Sequence, residues 1–314
     1  MTLLFQYVLI YSVALMLVAF GGMFAERSGV INIGLEGTMV VGGFVSLIVL
    51  GALIKANIHP ALIVILTIIT AIVSGMLYSL LLAVACVTFK ADQTLVGTAM
   101  NLLSTAVALI VTKQMTGGSS TSIQYNKEMF LFNINGFEIN VFLIVGIVVL
   151  IAAIIVLYKL KFGLRLKACG ENPHAADAVG INVAKYRYYG VLISGALAGV
   201  GALAYILPTQ SFWNSASGVA GFGFLSLAVM IFGQWKPGRI ALVALFFSFF
   251  MSFSYLYYGI FLQLFNIQLT ADKGVTSELF KMIPYILSLL LLAFSSKNHH
   301  APKAEGIPYD KETR

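Results

Sequence analysis

The polar residues of this chain are sparse, and few of them have the types and spacing that catalysis requires. No cluster of histidine, cysteine and carboxylate residues has metal-ligand spacing, and no Gly-x-Ser-x-Gly nucleophile motif occurs. Residues 117–122 are the segment most similar to a phosphate-binding loop, and they lack the lysine that would reach a phosphate. We therefore expect no enzyme, no metal, no cofactor and no ATP binding of that kind.

One long polar segment, residues 159–187, is strongly basic and contains a short helix that its capping residues define. Asn172 is a favourable N-cap, and Pro173 suits the first helical position. Gly180 supplies a left-handed stop after Val179. A helix of about seven residues has little intrinsic stability in water, so we expect it to pack against a partner.

A second unusual stretch, residues 24–37, places three charges and three glycines between apolar segments. Glu36 directly precedes an apolar run, and a charged side chain at the membrane centre costs about 2.5–3.5 kcal/mol. Two interpretations are open. The stretch is either a short loop before an ordinary helix with Glu36 in its first turn, or a broken helix beside a solute path.

Asn101 lies inside an apolar segment, where a buried amide needs a partner. It predicts either a hydrogen bond between helices or a contact with a solute. Phe44, Phe222 and Phe224 have rings that are able to stack on a planar base, although phenylalanines in membrane helices more often pack or face lipid. Glu36, Asn101 and Phe222 are therefore candidates for a translocation path.

The composition indicates a membrane protein, with 60% hydrophobic and 10% charged residues, against about 25% charged residues in soluble domains. Uncharged windows long enough to cross a hydrocarbon core of about 30 Å recur along the chain. We predict an all-α polytopic integral membrane protein with about nine transmembrane helices. They lie near residues 3–24, 34–54, 59–88, 94–113, 140–158, 186–206, 218–235, 238–260 and 279–296.

The basic residues predict the orientation through the positive-inside rule. If residues 159–187 are cytoplasmic, 14 of the 19 lysines and arginines are inside: Arg27, Lys90, Lys159, Lys161, Arg165, Lys167, Lys185, Arg187, Lys236, Arg239, Lys297, Lys303, Lys311 and Arg314. The N-terminus is then outside and the C-terminus cytoplasmic. The net charge of +7 is read as a topology signal, not as a sign of nucleic-acid binding.

The chain divides into one transmembrane domain, residues 1–296, and a polar cytoplasmic tail, residues 297–314. We expect the tail to be disordered and assign it no function. Trp213 and Trp235 are expected near opposite membrane edges, as in aromatic belts.

Two long motifs resemble permeases of ATP-binding-cassette (ABC) importers. Residues 26–37, ERSGVINIGLEG, resemble a signature of these permeases, and residues 170–183, GENPHAADAVGINV, are similar to their cytoplasmic coupling segment. The family includes permeases for ribose and branched-chain amino acids. The resemblance is closest to the branch that is paired with basic-membrane-protein-type lipoproteins and imports nucleosides. Residues 91–93, 97–103 and 194–199 also resemble that branch, so that the resemblance covers about residues 5–295.

The resemblance implies a permease subunit of the bacterial cell membrane that forms a path for nucleosides. It implies two permease subunits, cytoplasmic ABC ATPases and an extracellular lipoprotein that delivers the substrate. The short helix would be the coupling helix, lodged in a groove of the ATPase through Glu171, Asn172, Pro173, His174, Ala175, Ala176, Asp177 and Gly180. Asn32, within the first motif, joins Glu36, Asn101 and Phe222 as a candidate path residue.

Longer relatives resemble a plan with an extra helix before the present first span. This favours a heterodimer with a longer, non-identical permease. Two other functions are open. One is a permease for a simple sugar such as ribose, since the candidate path residues do not encode the substrate. The other is a self-sufficient proton-coupled carrier with Glu36 as its proton site, which the small number of deep charges disfavours.

Overall fold

The computed structural model describes residues 2–134, 137–264, 282, 284–287, 289–290 and 301–311. The helices of this described part are α1 (Thr2–Arg27), α2 (Leu35–Lys55), α3 (Pro60–Ala83), α4 (Gln93–Met115), α5 (Val141–Tyr158), α6 (Lys161–Glu171), α7 (Pro173–Ala178), α8 (Val183–Thr209), α9 (Phe222–Phe232) and α10 (Pro237–Leu264). A π-helical turn, Val84–Thr88, extends α3. Within the described residues, seven helices are long and apolar enough to cross a membrane, namely α1 to α5, α8 and α10.

When the π-helical turn is counted with α3, the bounds of these seven helices agree with the predicted spans to within four residues. The span predicted at 218–235 is wrong as a full crossing. Its helix, α9, has 11 residues, which is about 16 Å and only half of a hydrocarbon core. The ninth predicted span, 279–296, lies largely outside the described residues.

Helices α1 and α8 form the centre of the bundle. Residues 14–20 of α1 are all buried, as expected for a helix that is apolar on every side. Close packing around α8 depends on glycines, since a Cβ on Gly42 of α2 would lie 2.6 Å from the Cα of Gly199. Helices α3, α4, α5 and α10 expose many large apolar side chains on the outside of the bundle, where lipid or another apolar partner can cover them.

The long helices alternate in direction, so that the connections lie at two ends of the bundle. At one end, here called the basic end, Arg27 of α1 lies 3.6 Å from Glu171 of α6 and hydrogen-bonds to the carbonyl of Trp235, just before α10. The other end, here called the far end, carries two short antiparallel sheets. They pair β1 (Ser122–Gln124) with β4 (Phe212–Asn214) and β2 (Leu131–Ile134) with β3 (Phe137–Asn140).

Helix α6 was not predicted from the sequence. It is amphipathic, and its buried face contains Gly163, Leu166, Cys169 and Gly170. The recurrence of small or apolar residues every three to four positions was the signal for it. It leads directly into α7 at the basic end.

Residues 301–311 also lie at the basic end, where Ala304 donates a backbone hydrogen bond of 2.8 Å to Gly170. The sequence predicts a disordered tail over residues 297–314. Residues 297–300 and 312–314 are outside the described part.

Candidate functional site

The short helix α7 begins as predicted. It covers Pro173–Ala178, and the side chain of Asn172 accepts a hydrogen bond of 3.0 Å from the backbone N–H of Ala175. This bond satisfies one of the amides that a helix N-terminus leaves unpaired. Pro173 occupies the first helical position, where no N–H is needed.

The end of α7 is also capped. The N–H of Gly180 donates to the carbonyl of Asp177 at 2.8 Å, and the N–H of Ile181 donates to that of Ala176 at 3.0 Å. These two bonds make a Schellman motif. Gly180 has a φ of 82°, which is the left-handed conformation this motif requires. The prediction of a capped helix is confirmed, with its last helical residue one position earlier than expected.

Helix α7 buries one side and exposes the other. Pro173 and Ala176 are buried, and Ala176 packs with Cys169 and Val183 in a small apolar cluster. Asp177 is half-buried. The other residues predicted to contact an ATPase are exposed, namely Glu171, Asn172, His174, Ala175 and Gly180. The arrangement gives a short helix that is capped at both ends and exposed on its outer face.

A cavity of about 330 Å³ lies beside the end of α7. Its lining includes residues 179–182 and the side chains of Arg165, Lys185, Tyr186 and Tyr189. Two cations and two phenols in one open cavity are suited to receiving a carboxylate.

The segment between α1 and α2, residues 28–34, is here called the linker. It is largely buried and runs along α4. The N–H of Ile31 donates to Gln93 Oε1 at 2.6 Å, and Asn101 Nδ2 donates to the carbonyl of Ile33 at 3.0 Å. Gln93 and Asn101 are eight residues apart on α4, which is about 12 Å along its axis. The linker therefore enters the bundle as a non-helical segment, with turns at residues 28–29 and 33–34.

Helix α2 begins inside the bundle, next to α4. The N–H of Gly37 donates to Asn101 Oδ1 at 2.7 Å. A Cβ on Gly37 would lie 2.9 Å from the carbonyl oxygen of Met100, so that the two helices touch through backbone here. Residues 28–34 thus connect α1 to α2 as a seven-residue non-helical segment, and Glu36 lies in the first turn of α2.

Glu36 joins the start of α2 to the start of α9. Its Oε1 accepts from the N–H of Gly221 at 2.8 Å, and its Oε2 accepts from the N–H of Gly223 at 2.7 Å. Both amides belong to the first turn of α9, where the helix dipole favours an anion. A Cβ on Gly223 would lie 2.5 Å from Glu36 Cα, which explains the need for glycine. We call this contact the half-helix junction.

Phe222 lies at the junction but faces the interior. Its side chain is 1% exposed, and its ring centroid lies 3.9 Å from that of Tyr205 and 5.7 Å from that of Tyr11. In this chain Phe222 anchors α9 to α8 and α1, with its ring already packed on both sides.

Asn32 points away from the junction, towards α8. It is buried, and its Nδ2 donates to Ser194 Oγ at 2.8 Å. The linker is thus bonded to α4 on one side and to α8 on the other. The structure brings Asn32, Glu36, Asn101 and Phe222 together around the linker, and only Glu36 and Asn101 among them are partly exposed.

Sequence reasoning missed several residues that support this region. Gln93 is buried and bonded to the linker. Trp235, expected in an aromatic belt, is 4% exposed, and its Nε1 donates to Glu26 Oε2 at 2.6 Å. A glutamate next to an arginine at the end of a span was the available signal, but its tryptophan partner is 209 residues away.

Comparison with known proteins places these features in a family. Residues 4–292 match the family described as the branched-chain amino acid transport system permease component. The chain is 37% identical to the guanosine ABC transporter permease protein NupQ of Bacillus subtilis, over 98% of this chain and 96% of NupQ. It is also 37% identical to the nucleoside ABC transporter permease protein NupC of Lactococcus lactis, over 96% and 95% of the two chains.

A further similarity is partial. The nucleoside ABC transporter permease protein NupB of Lactococcus lactis is 33% identical over 110 residues, which cover 35% of this chain and 30% of NupB. No solved structure matches the chain at a significant level.

We expect Glu36→Ala to lower the stability of the protein by about 3 kcal/mol, because two hydrogen bonds to a charged acceptor are lost inside the bundle. Glu36→Gln should cost less, since one carbonyl oxygen is retained. Thermal unfolding in lipid nanodiscs measures both effects. Glu128→Ala, at an exposed glutamate of the far end, is the matched control and should leave the unfolding temperature unchanged. Equal unfolding temperatures for Glu36→Ala and the intact chain would contradict the capping role.

Proposed function

This chain belongs to the permease-component family of the branched-chain amino acid transport system, and we propose that it carries nucleosides across the cell membrane. As a permease component of an ABC transporter it is a non-catalytic, multi-pass membrane subunit. The observation that carries the choice of substrate is the 37% identity, over nearly the whole chain, to permeases named for guanosine and for nucleosides.

An ABC permease works with an ATPase and a substrate-binding protein. We propose a cytoplasmic ABC ATPase and an extracellular lipoprotein as these partners. The basic end of the bundle is then cytoplasmic, as the positive-inside rule predicts. The N-terminus is outside, and α7 faces the cytoplasm.

Helix α7 is proposed as the coupling helix. Its caps keep six residues helical without help from a longer helix, and its outer face presents His174, Ala175 and Val179, which is 74% exposed. Small side chains allow a groove of the ATPase to approach closely. The adjacent cavity with Arg165 and Lys185 would take an acidic side chain from the same partner.

The half-helix junction is proposed as the substrate region. The short helix α9 begins there inside the bundle, beside the first turn of α2, and discontinuous helices are how membrane transporters bring backbone polar groups to a solute. Glu36 and Asn101 are the candidates for direct contact because they are partly exposed. Asn32 and Phe222 would act by holding the linker and α9 in place.

A second, longer permease is proposed as the other half of the pore. NupB and NupC are both named as nucleoside permeases in one strain of Lactococcus lactis. Since 110 residues are 30% of NupB, that protein has about 370 residues, and it is longer than the 314 residues of this chain. The outer faces of α3, α4, α5 and α10 are apolar enough to receive it.

A simple sugar such as ribose is the competing substrate. A relative named as a putative glucose ABC transporter permease is 29% identical over 74% of this chain, which is a weaker similarity over a shorter part. None of the relatives described above is named as a proton-coupled carrier, so we do not propose that function.

Uptake in cells tests the substrate. Deletion of the chain should abolish uptake of radiolabelled guanosine, leave ribose uptake unchanged, and be reversed by the intact chain. Loss of ribose uptake alone would assign the chain to sugars. Restoration by Asn101→Leu at the intact rate would contradict a role for Asn101 at the substrate region, because leucine makes neither of its two hydrogen bonds.

Changes in α7 test coupling. Gly180→Pro removes an N–H of the Schellman motif and cannot adopt its positive φ. In Ala176→Phe, the phenyl ring is too large for the buried side of α7. Both variants should insert normally but lose at least nine-tenths of uptake, while the ATPase still hydrolyses ATP. Ala178→Ser, at an exposed position of α7, is the control. Normal uptake by well-expressed forms of both variants would refute the coupling role.

A further inference from the structure

Residues 301–311 join two parts of the molecule that are distant in sequence. The N–H of Ala304 donates to the carbonyl of Gly170, at the end of α6, at 2.8 Å. The N–H of Gly306 donates to the carbonyl of Gly29, in the linker, at 3.3 Å. Backbone-to-backbone bonds therefore connect this segment both to the helix before α7 and to the start of the linker.

A buried arginine of α8 depends on the same segment. Arg187 is 1% exposed, and its Nη1 donates to the carbonyl of Ile307 at 2.9 Å. A buried cation is costly unless acceptors surround it, so this carbonyl contributes to the stability of α8. The ion pair of Lys90 with Asp310, at 2.8 Å, is half-exposed and adds less.

The segment also packs against α7 itself. The ring of Tyr309 lies 5.3 Å from that of His174, and it contacts the apolar cluster of Cys169, Ala176 and Val183. The buried side of α7 is thus packed partly by α6 and α8 and partly by a residue from the end of the chain.

The outer side of the segment is open. Ile307 is 57% exposed, and Pro308 is exposed beside it. Tyr309 contacts His174 of α7. Ile307 and Pro308, which precede Tyr309, therefore lie next to the exposed face of α7 and add apolar surface to it.

We infer that residues 301–311, the C-terminal strap, form a second part of the surface on which the ATPase docks and hold α7 against the linker. This inference rests on the proposed function, since it takes the ATPase as the partner. It gives a role to a tail that the sequence left without one.

The first measurement tests the packing of the strap in the permease alone. The chain has two cysteines, so that Cys86→Ala leaves Cys169 as the single thiol. Cys169 is buried, and burial raises the pKa of its thiol to about 11, which makes it slow to react with a maleimide at neutral pH. Tyr309→Ala, or a chain that ends at residue 300, should react at least tenfold faster. Tyr309→Phe keeps the ring and should react at the intact rate.

The second measurement tests docking. Permeases in nanodiscs are titrated with the ATPase that supports uptake by the intact chain. The chain that ends at residue 300 and Tyr309→Ala should each bind with a Kd raised about tenfold, while Tyr309→Phe stays within twofold. If the shortened chain fails to fold, the Kd of Tyr309→Ala alone tests the docking role of the segment.

The outcomes separate this inference from the proposed function. Unchanged ATPase affinity in Tyr309→Ala, with uptake intact, would overturn the strap as a docking surface and leave the permease function standing. Unchanged labelling of Cys169 would overturn the packing. An intact chain that neither binds an ATPase nor restores uptake would overturn the proposed function, and the strap with it.

Discussion

Every backbone amide inside a bilayer needs a hydrogen-bond partner from the protein, and this constraint shapes the middle of the bundle. Two segments there depart from helical geometry, the linker and the turn before α9. Gln93 and Asn101 bond to the linker, and Glu36 bonds to the first turn of α9. Each unpaired group in such a place costs about 1–3 kcal/mol. Three side chains therefore permit the two interruptions that distinguish this bundle from a set of simple spans.

Glu36 combines features of the two hypotheses that its sequence position allowed. It lies in the first turn of α2, as the simpler hypothesis required, and it also caps a second helix that begins in the bundle. Both oxygens are bonded, but a carboxylate has about four lone-pair positions. The backbone of Phe224 interacts with the same carboxylate as a third group. The carboxylate therefore joins the first turns of two helices.

The parts of the fold that were predictable from sequence are those with local causes. The caps of α7 involve residues less than ten positions apart, and the seven long helices follow from uninterrupted hydropathy. Helix α9 was predicted too long because residues 218–235 carry no charge. Its start is set by Glu36, 187 residues before Gly223. The strap was missed for the same reason, since its partners Gly29 and Gly170 are far away in sequence.

The contacts between the strap, the linker and the half-helix junction pass mainly through glycines. Gly170 touches the backbone of the linker, where Gly29 has a φ of 94°, and Gly37 and Gly223 touch the backbone at Asn101 and Glu36. Direct backbone contact has no side-chain rotamers that can absorb a displacement, and packed interiors transmit strain. Movement of α7 against α8 would therefore shift the linker as a unit, and the linker ends at the residues that hold α9. A short buried segment bonded at both ends is better suited to this task than a flexible loop of the same length.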